Sequence, residues 1–252
     1  MTTIVHRDPQ GSEADVALGP DTAHVWTIAL EDADPHGETA EALSTEERER
    51  ARRFRFDLDR RRFVAARMAL RSVLAGYLSA APASVVFTAG PWGKPMLDAT
   101  IHGTALRFNL SHSHELALVV VARDRDVGVD VERMRVLPDL EGIVARFFSA
   151  AERATLDRLP RDRRLHAFFR FWTVKEAYLK ACGDGLNRGL DHLDVELGAD
   201  QQRASIRALD RPDDERRWEL FSLTPRAGYV AAVAVDASVR ARTAHRSRRH
   251  RA

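Results

Sequence analysis

Two unbroken apolar runs, Leu116 to Ala122 and Val230 to Val235, have the length of strands and fall far below the roughly 20 residues that a membrane-spanning helix needs. Around them lie β-rich segments bounded by Gly, Pro and Asp: Val85 to Thr88, Leu106 to Leu110 and Val127 to Val131, then Leu193 to Leu197, Trp218 to Leu223 and Tyr229 to Val235. Arg123-Asp124-Arg125-Asp126 reads as a tight turn, which predicts a hairpin over Leu116 to Val131.

Helical signals alternate with the strands. Ser44-Thr45-Glu46-Glu47 can form a capping box, in which the serine hydroxyl meets the N3 amide and the glutamate reaches back. Ser149-Ala150-Ala151-Glu152 repeats it, and a helix is predicted over Phe168 to Ala181. Phe63 to Leu70 and Phe171 to Tyr178 share an aromatic start, a basic residue four positions on, then Ala and a large apolar side chain. The echo suggests internal duplication. The expected fold is α+β, in two similar halves at 1–126 and 127–239.

The 252 residues can bury a substantial core, and 44% hydrophobic with 30% charged residues excludes a disordered or fibrous chain. The pI near 9.0 belongs to the end of the chain. Without Arg240, Arg242, Arg246, Arg248, Arg249 and Arg251 the formal charge falls from +2 to −4. Residues 240–252 are expected to be a disordered basic tail rather than a specific nucleic-acid site. The lone Cys182 fits a reducing cytoplasm, and Met1 to Gln10 lacks the basic start and apolar stretch of a secretion signal. A cytoplasmic monomer without a membrane partner is expected.

Four clusters could carry chemistry. Asp130 and Glu132, at i and i+2 of a strand, project from one face and repel unless a cation sits between them. Magnesium suits such carboxylates; the bland alternative is an exposed strand end paired with Arg133 or Arg135. Glu176 and Lys180 are neighbours on a helix too apolar to be a solvated face. Phe108-Asn109-Leu110-Ser111-His112-Ser113-His114 offers hydroxyl and imidazole donors for a phosphate. A serine hydrolase using Ser111 competes, although adjacent Ser111 and His112 face opposite ways in an extended chain and no G-x-S-x-G elbow exists. Pro91-Trp92-Gly93-Lys94-Pro95 presents a lysine to solvent as a point charge for phosphate. A non-enzymatic, RNA-associated role would rest on the tail alone.

In order along the chain, Gly93-Lys94-Pro95, Phe108 to Ser113, Gly128-Val129-Asp130-Val131-Glu132, Arg146 to Glu152 and Phe171 to Ala177 resemble the 4′-phosphopantetheinyl transferases of the surfactin-synthetase-activating type. With Ser44 and the Lys180 to Leu186 continuation, the resemblance covers residues 40–195. It implies a pseudo-twofold fold with coenzyme A bound between the halves. It also implies transfer of phosphopantetheine from that co-substrate to a serine of an apo acyl or peptidyl carrier protein, releasing adenosine 3′,5′-bisphosphate. Carried over by position, Asp130, Glu132 and Glu176 would hold Mg2+, with Glu176, directly or through a water, as the base. Lys180 would serve the pyrophosphate and its leaving oxygen. Ser111 and His112 would hold the 3′-phosphate, and Arg50, Arg62, Gly93, Lys94 and Asn109 would complete the coenzyme A site. Glu47 departs from the pattern, standing where some relatives have a basic residue.

Overall fold

The computed structural model describes residues 1–8, 17–31, 42–90, 93–183, 189–200, 202–211 and 217–238. The arginine tail, Pro91-Trp92 and Asp184 to Leu186 lie outside them.

Both predicted capping boxes form. At α1 (Thr45–Arg52) the Glu47 amide donates to Ser44 Oγ at 3.2 Å and the Ser44 amide to Glu47 Oε2 at 2.8 Å. At α5 (Ala150–Arg158), Ser149 and Glu152 repeat both distances. Each short helix leads into a long one of 22 residues, α2 (Asp57–Leu78) and α6 (Arg161–Cys182). The two glutamates do the same second job. Glu47 binds Arg67 and Arg71 of α2, and Glu152 binds the fully buried Lys175 of α6 at 2.6 Å. Arg67 and Lys175 stand at the matching place of the sequence echo, so the repeat of the motif is a repeat of structure. Replacing Ser44 with Ala is expected to cost about 1 kcal/mol, read by urea denaturation.

Strands β1 (Thr3–Arg7), β2 (Thr22–Ala29), β5 (Leu106–Ser113) and β6 (Leu116–Arg123) form one sheet in the order β1-β2-β6-β5, antiparallel except for β1 and β2. A second, antiparallel sheet takes β7 (Val127–Arg133), β8 (Leu193–Leu197), β9 (Arg203–Ala208), β10 (Trp218–Leu223) and β11 (Tyr229–Asp236) in the order β7-β11-β10-β9-β8. A ribbon of β3 (Phe87–Ala89) and β4 (Pro95–Leu97) lies beside β5, and two short helices, α3 (Ala99–His102) and α4 (Leu140–Phe147), complete the frame.

The apolar runs follow from this layering. On β6, Ala117, Val119 and Val121 face the side chains of α2, while Leu116, Leu118, Val120 and Ala122 face the second sheet. On β11, Ala232 and Ala234 meet α6, and Ala231, Val233 and Val235 meet the first sheet. A strand covered on both faces has no polar side, which is why alternation is missing from these segments.

The predicted hairpin over Leu116 to Val131 is not present. β6 pairs with β2 and β5, and β7 pairs with β11. The intervening residues carry the chain from sheet to sheet: Asp124 adopts φ 55°, and the buried Arg125 is anchored on Thr2 Oγ1 at 2.8 Å and Thr22 O at 2.9 Å. Two strands that each need cover on both faces are satisfied in the middle of a layered structure, not as an isolated ribbon. The hairpin lies one step earlier, between β5 and β6, turning through His114 (φ 54°) and Glu115. The strand expected at Val85 to Thr88 begins instead at Phe87, after a 3-10 turn at Pro82–Ser84.

Candidate active site

Glycine at position 128 sets the distance between β7 and α6. A Cβ there would lie 2.0 Å from the Ala177 carbonyl oxygen and 2.4 Å from the Ala181 amide nitrogen. With hydrogen in its place the helix lies directly on the strand. Glu176 and Lys180, one turn apart, are thereby presented to Asp130 of β7.

The centre of the site is Asp130, only 4% exposed. Its Oδ1 accepts from Lys180 Nζ at 2.6 Å and from Ser111 Oγ at 3.0 Å, and Lys180 also donates to Ser111 Oγ at 2.9 Å. Its Oδ2 is buried without a hydrogen-bond partner, as is Oε1 of Glu176. Glu132 accepts from Ser113 Oγ at 2.9 Å and lies 3.6 Å from the exposed Arg135.

Two of the three carboxylates in this space, Glu176 and Glu132, are hard to ionise. Burial raises the Glu176 pKa to about 7, with the Asp130 and Glu132 charges adding to the shift and Lys180 opposing it. Burial and the Asp130 charge also raise Glu132. Among the described residues no three His, Cys, Asp or Glu side chains are gathered as a ready-made metal cage. The donor set nevertheless fits a hard divalent cation. It offers two desolvated carboxylate oxygens with no partner and a third carboxylate whose charge they feel, and such oxygens are what magnesium takes.

Strand alternation divides the Ser-His motif as the sequence predicts. Ser111 points to the carboxylates, where its hydroxyl is held by Asp130 and Lys180 rather than by a histidine. His112 points to the other side, into a crowded but solvent-open corner with Arg62 and Arg50. Desolvation lowers its pKa, followed by the charges of Lys180, Arg62 and Arg50. Arg62 is held by Glu115 at 2.8 Å, and Arg50 lies over the Phe63 ring at 5.2 Å. His112, Arg50 and Arg62 therefore gather as an anion-attracting corner beside Lys180.

Two expected groups sit differently. Lys94, read as offered to solvent, is half-buried. Its ammonium donates to Val127 O at 3.0 Å and Ala181 O at 3.3 Å, tying the β3–β4 ribbon to the start of β7 and the end of α6. It lines a cavity of about 210 Å³ with Met96, Phe108 and Gly183, and burial lowers its pKa. Gly93, at φ 78°, makes the bend before it. Asn109 is buried, and its Oδ1 accepts from the Val129 amide at 2.9 Å.

Glu47 also has a physical account. Burial works against its ionisation, but Arg67, the Ser44 amide and Arg71 outweigh this and lower its pKa. The residue is a structural counter-ion inside the first half.

Sequence reasoning missed the part played by Ser113 and by Glu115, which binds Arg62 and Arg133 and accepts from Tyr229 at 3.1 Å. For Ser113 the signal was present: Asn109, Ser111 and Ser113 recur at the strand period of two and so share one face.

Residues 126–234 match the family model described as 4′-phosphopantetheinyl transferase superfamily, and residues 33–125 the one described as 4′-phosphopantetheinyl transferase, N-terminal. The chain is 40% identical to the 4′-phosphopantetheinyl transferase HetI of a Nostoc species over 87% of its own length and 90% of that protein's. It is 33% identical to a 4′-phosphopantetheinyl transferase of Bacillus subtilis, with 73% and 84% covered. Against the Bacillus subtilis 4′-phosphopantetheinyl transferase Sfp it is 30% identical, with 76% and 81% covered.

Proposed function

The chain belongs to the 4′-phosphopantetheinyl transferase superfamily, and on that premise we propose how its residues carry phosphopantetheine from coenzyme A to a carrier-protein serine. The observation that supports the reading best is the meeting of Asp130, Glu132, Glu176 and Lys180 at the contact of β7 with α6.

Asp130, Glu132 and Glu176 would hold a magnesium ion. When bound, the ion offsets negative charge on the coenzyme A pyrophosphate, the main requirement in phosphoryl transfer. The anion-attracting corner of His112, Arg50 and Arg62 takes the 3′-phosphate, and Lys94 borders the nucleotide. Ser111, expected with His112 at the 3′-phosphate, also holds Lys180 in line with Asp130. Asn109 serves the site through the β7 backbone.

In the reaction the serine oxygen forms a bond to the pantetheine-side phosphorus, and the bond from that phosphorus to the bridging oxygen breaks. Adenosine 3′,5′-bisphosphate leaves with the bridging oxygen. Lys180 stabilises charge on that oxygen, and the serine proton passes to Glu176. With the cation bound, the Glu176 carboxylate is held ionised and takes that proton directly or through a water; general-base help of this kind gives about 10² to 10⁴ in rate.

No helix among the described residues is long and apolar enough to cross a membrane. We place the enzyme in the cytoplasm as a monomer, without a nucleic-acid partner. The test is to incubate the protein with magnesium, coenzyme A and a panel of apo carrier proteins. Mass spectrometry is expected to show the phosphopantetheine adduct on at least one carrier. No adduct on any carrier, or full transfer in EDTA, would overturn the reading in its substrate or its metal respectively.

A further inference from the structure

Strands β5 and β7 belong to different sheets, yet side chains of one meet the other at a constant offset. Asn109 accepts from the Val129 amide at 2.9 Å, Ser111 donates to Asp130 at 3.0 Å, and Ser113 donates to Glu132 Oε2 at 2.9 Å. Ser113 Oγ also accepts from the Arg133 amide at 3.2 Å. The pairs are separated by 20, 19, 19 and 20 residues, so the strands run side by side in the same direction. Three polar side chains stand in for a backbone ladder, and they lie along the face that carries the carboxylates.

We propose that Ser113 is a positioning residue that fixes the Glu132 carboxylate for the divalent cation. The inference rests on the magnesium reading above. Asp130 is held by a buried hydroxyl and an ammonium, and Glu176 by the packing of α6. Glu132 sits at the rim and is 27% exposed, with the guanidinium of Arg135, itself 52% exposed, 3.6 Å away on the solvent side. An exposed ion pair of that kind is worth little and does not fix a rotamer. Ser113 can fix it, because it is buried and its own orientation is set. The Arg133 amide donates to the oxygen at 3.2 Å, and Glu132 Oε2 at 2.9 Å is a nearer partner for the hydroxyl proton than His114 Nδ1 at 3.4 Å. Without Ser113 the carboxylate is free to turn to Arg135 and leave the cation with fewer protein oxygens. Partners that orient metal-binding side chains typically change metal affinity by about 10- to 100-fold when removed.

The experiment is calorimetric titration of Mg2+ into the full-length protein saturated with coenzyme A, for wild type, Ser113→Ala and Ser113→Thr. Ser113→Ala is expected to weaken magnesium binding about 10-fold or more, with coenzyme A affinity in EDTA unchanged. Ser113→Thr, which keeps the hydroxyl, is expected to restore it. Wild-type magnesium affinity in Ser113→Ala overturns the inference while leaving the metal assignment standing. Equal loss in Ser113→Thr, or loss of coenzyme A binding in EDTA as well, assigns Ser113 a structural role and also overturns it. A wild type that takes up no magnesium overturns the metal assignment and this inference with it.

Discussion

Glu176→Gln is expected to lower transfer by about 10² to 10⁴ and, in EDTA at pH 8, to make the protein more stable than wild type. Transfer falls because the base and third carboxylate for the cation are lost, and stability rises because a buried charge is removed. The folded pKa of about 7 lies above the ordinary glutamate value of 4.5, because burial and the Asp130 and Glu132 charges disfavour the ionised form. Below pH 4.5 the group is protonated in both folded and unfolded chains and contributes nothing. Between pH 4.5 and 7 the unfolded chain ionises first, so stability falls as pH rises. Above pH 7 the full penalty remains, at most about 3.5 kcal/mol from a shift of this size at about 1.4 kcal/mol per unit. Glutamine keeps the shape and cannot ionise, so its advantage should be absent at pH 4.5 and complete by pH 8. Thermal melts across that range read the stability, and the carrier-protein mass assay reads transfer. Magnesium with coenzyme A should then raise the melting point of the wild type more than that of the variant, because only the wild type offers the third carboxylate. Equal melting points in EDTA at pH 8 would show that ionising Glu176 costs nothing, and unimpaired transfer would remove it from the reaction.

The fold was legible in the sequence wherever a local signal carries the information. The capping boxes at Ser44 and Ser149 depend on residues three apart, and both formed. Strands β8, β10 and β11 stand where composition and punctuation put them. Strand β2, Thr-Ala-His-Val-Trp-Thr-Ile-Ala, was missed. It mixes polar and apolar side chains without alternation, since Ala23 and Val25 face the second sheet while Ile28 packs toward α2 and His24 is satisfied by Tyr77 at 2.7 Å. Pairing is a non-local property. Nothing between Arg123 and Asp126 tells a two-strand turn from a crossing between layers; what decides it is the apolar character of both flanking strands, which demands cover on every face. The same division holds at the site. That Asp130 and Glu132 share a face, and that Ser111 and His112 do not, follows from period two. That Lys94 is tied to two backbone carbonyls of the other half, or that Asn109 braces β7, depends on contacts about 20 or more residues apart in sequence.

Gly128→Ala is expected to destabilise the protein by about 3 kcal/mol or more and to cost transfer at least about 10²-fold in the molecules that still fold. An added methyl would meet Ala177 O at 2.0 Å, Ala181 N at 2.4 Å and Ala181 Cα at 3.0 Å. All three are backbone atoms of one helix, so no side chain can rotate to make room. Overpacking in a core typically costs 1–3 kcal/mol when side chains can adjust. Here the whole of α6 must lift from β7, and that helix is bound in place by Val174, Ala177 and Tyr178 in the core. Glycine-to-alanine substitution also stiffens the unfolded chain, worth about 0.4–1 kcal/mol in the stabilising direction, and the clash exceeds that gain. Lifting the helix moves Glu176 and Lys180 away from Asp130 together, and about 1 Å of displacement at reacting groups can cost 10²-fold. Gly76→Ala supplies the opposite sign. Gly76 lies within α2 with open space where a Cβ would stand, so alanine there removes only the helix penalty of glycine and should stabilise by about 0.5–1 kcal/mol. Urea denaturation of both variants separates the causes: if Gly128→Ala is as stable as wild type, or if Gly76→Ala suffers as much, close contact between β7 and α6 is not what position 128 secures.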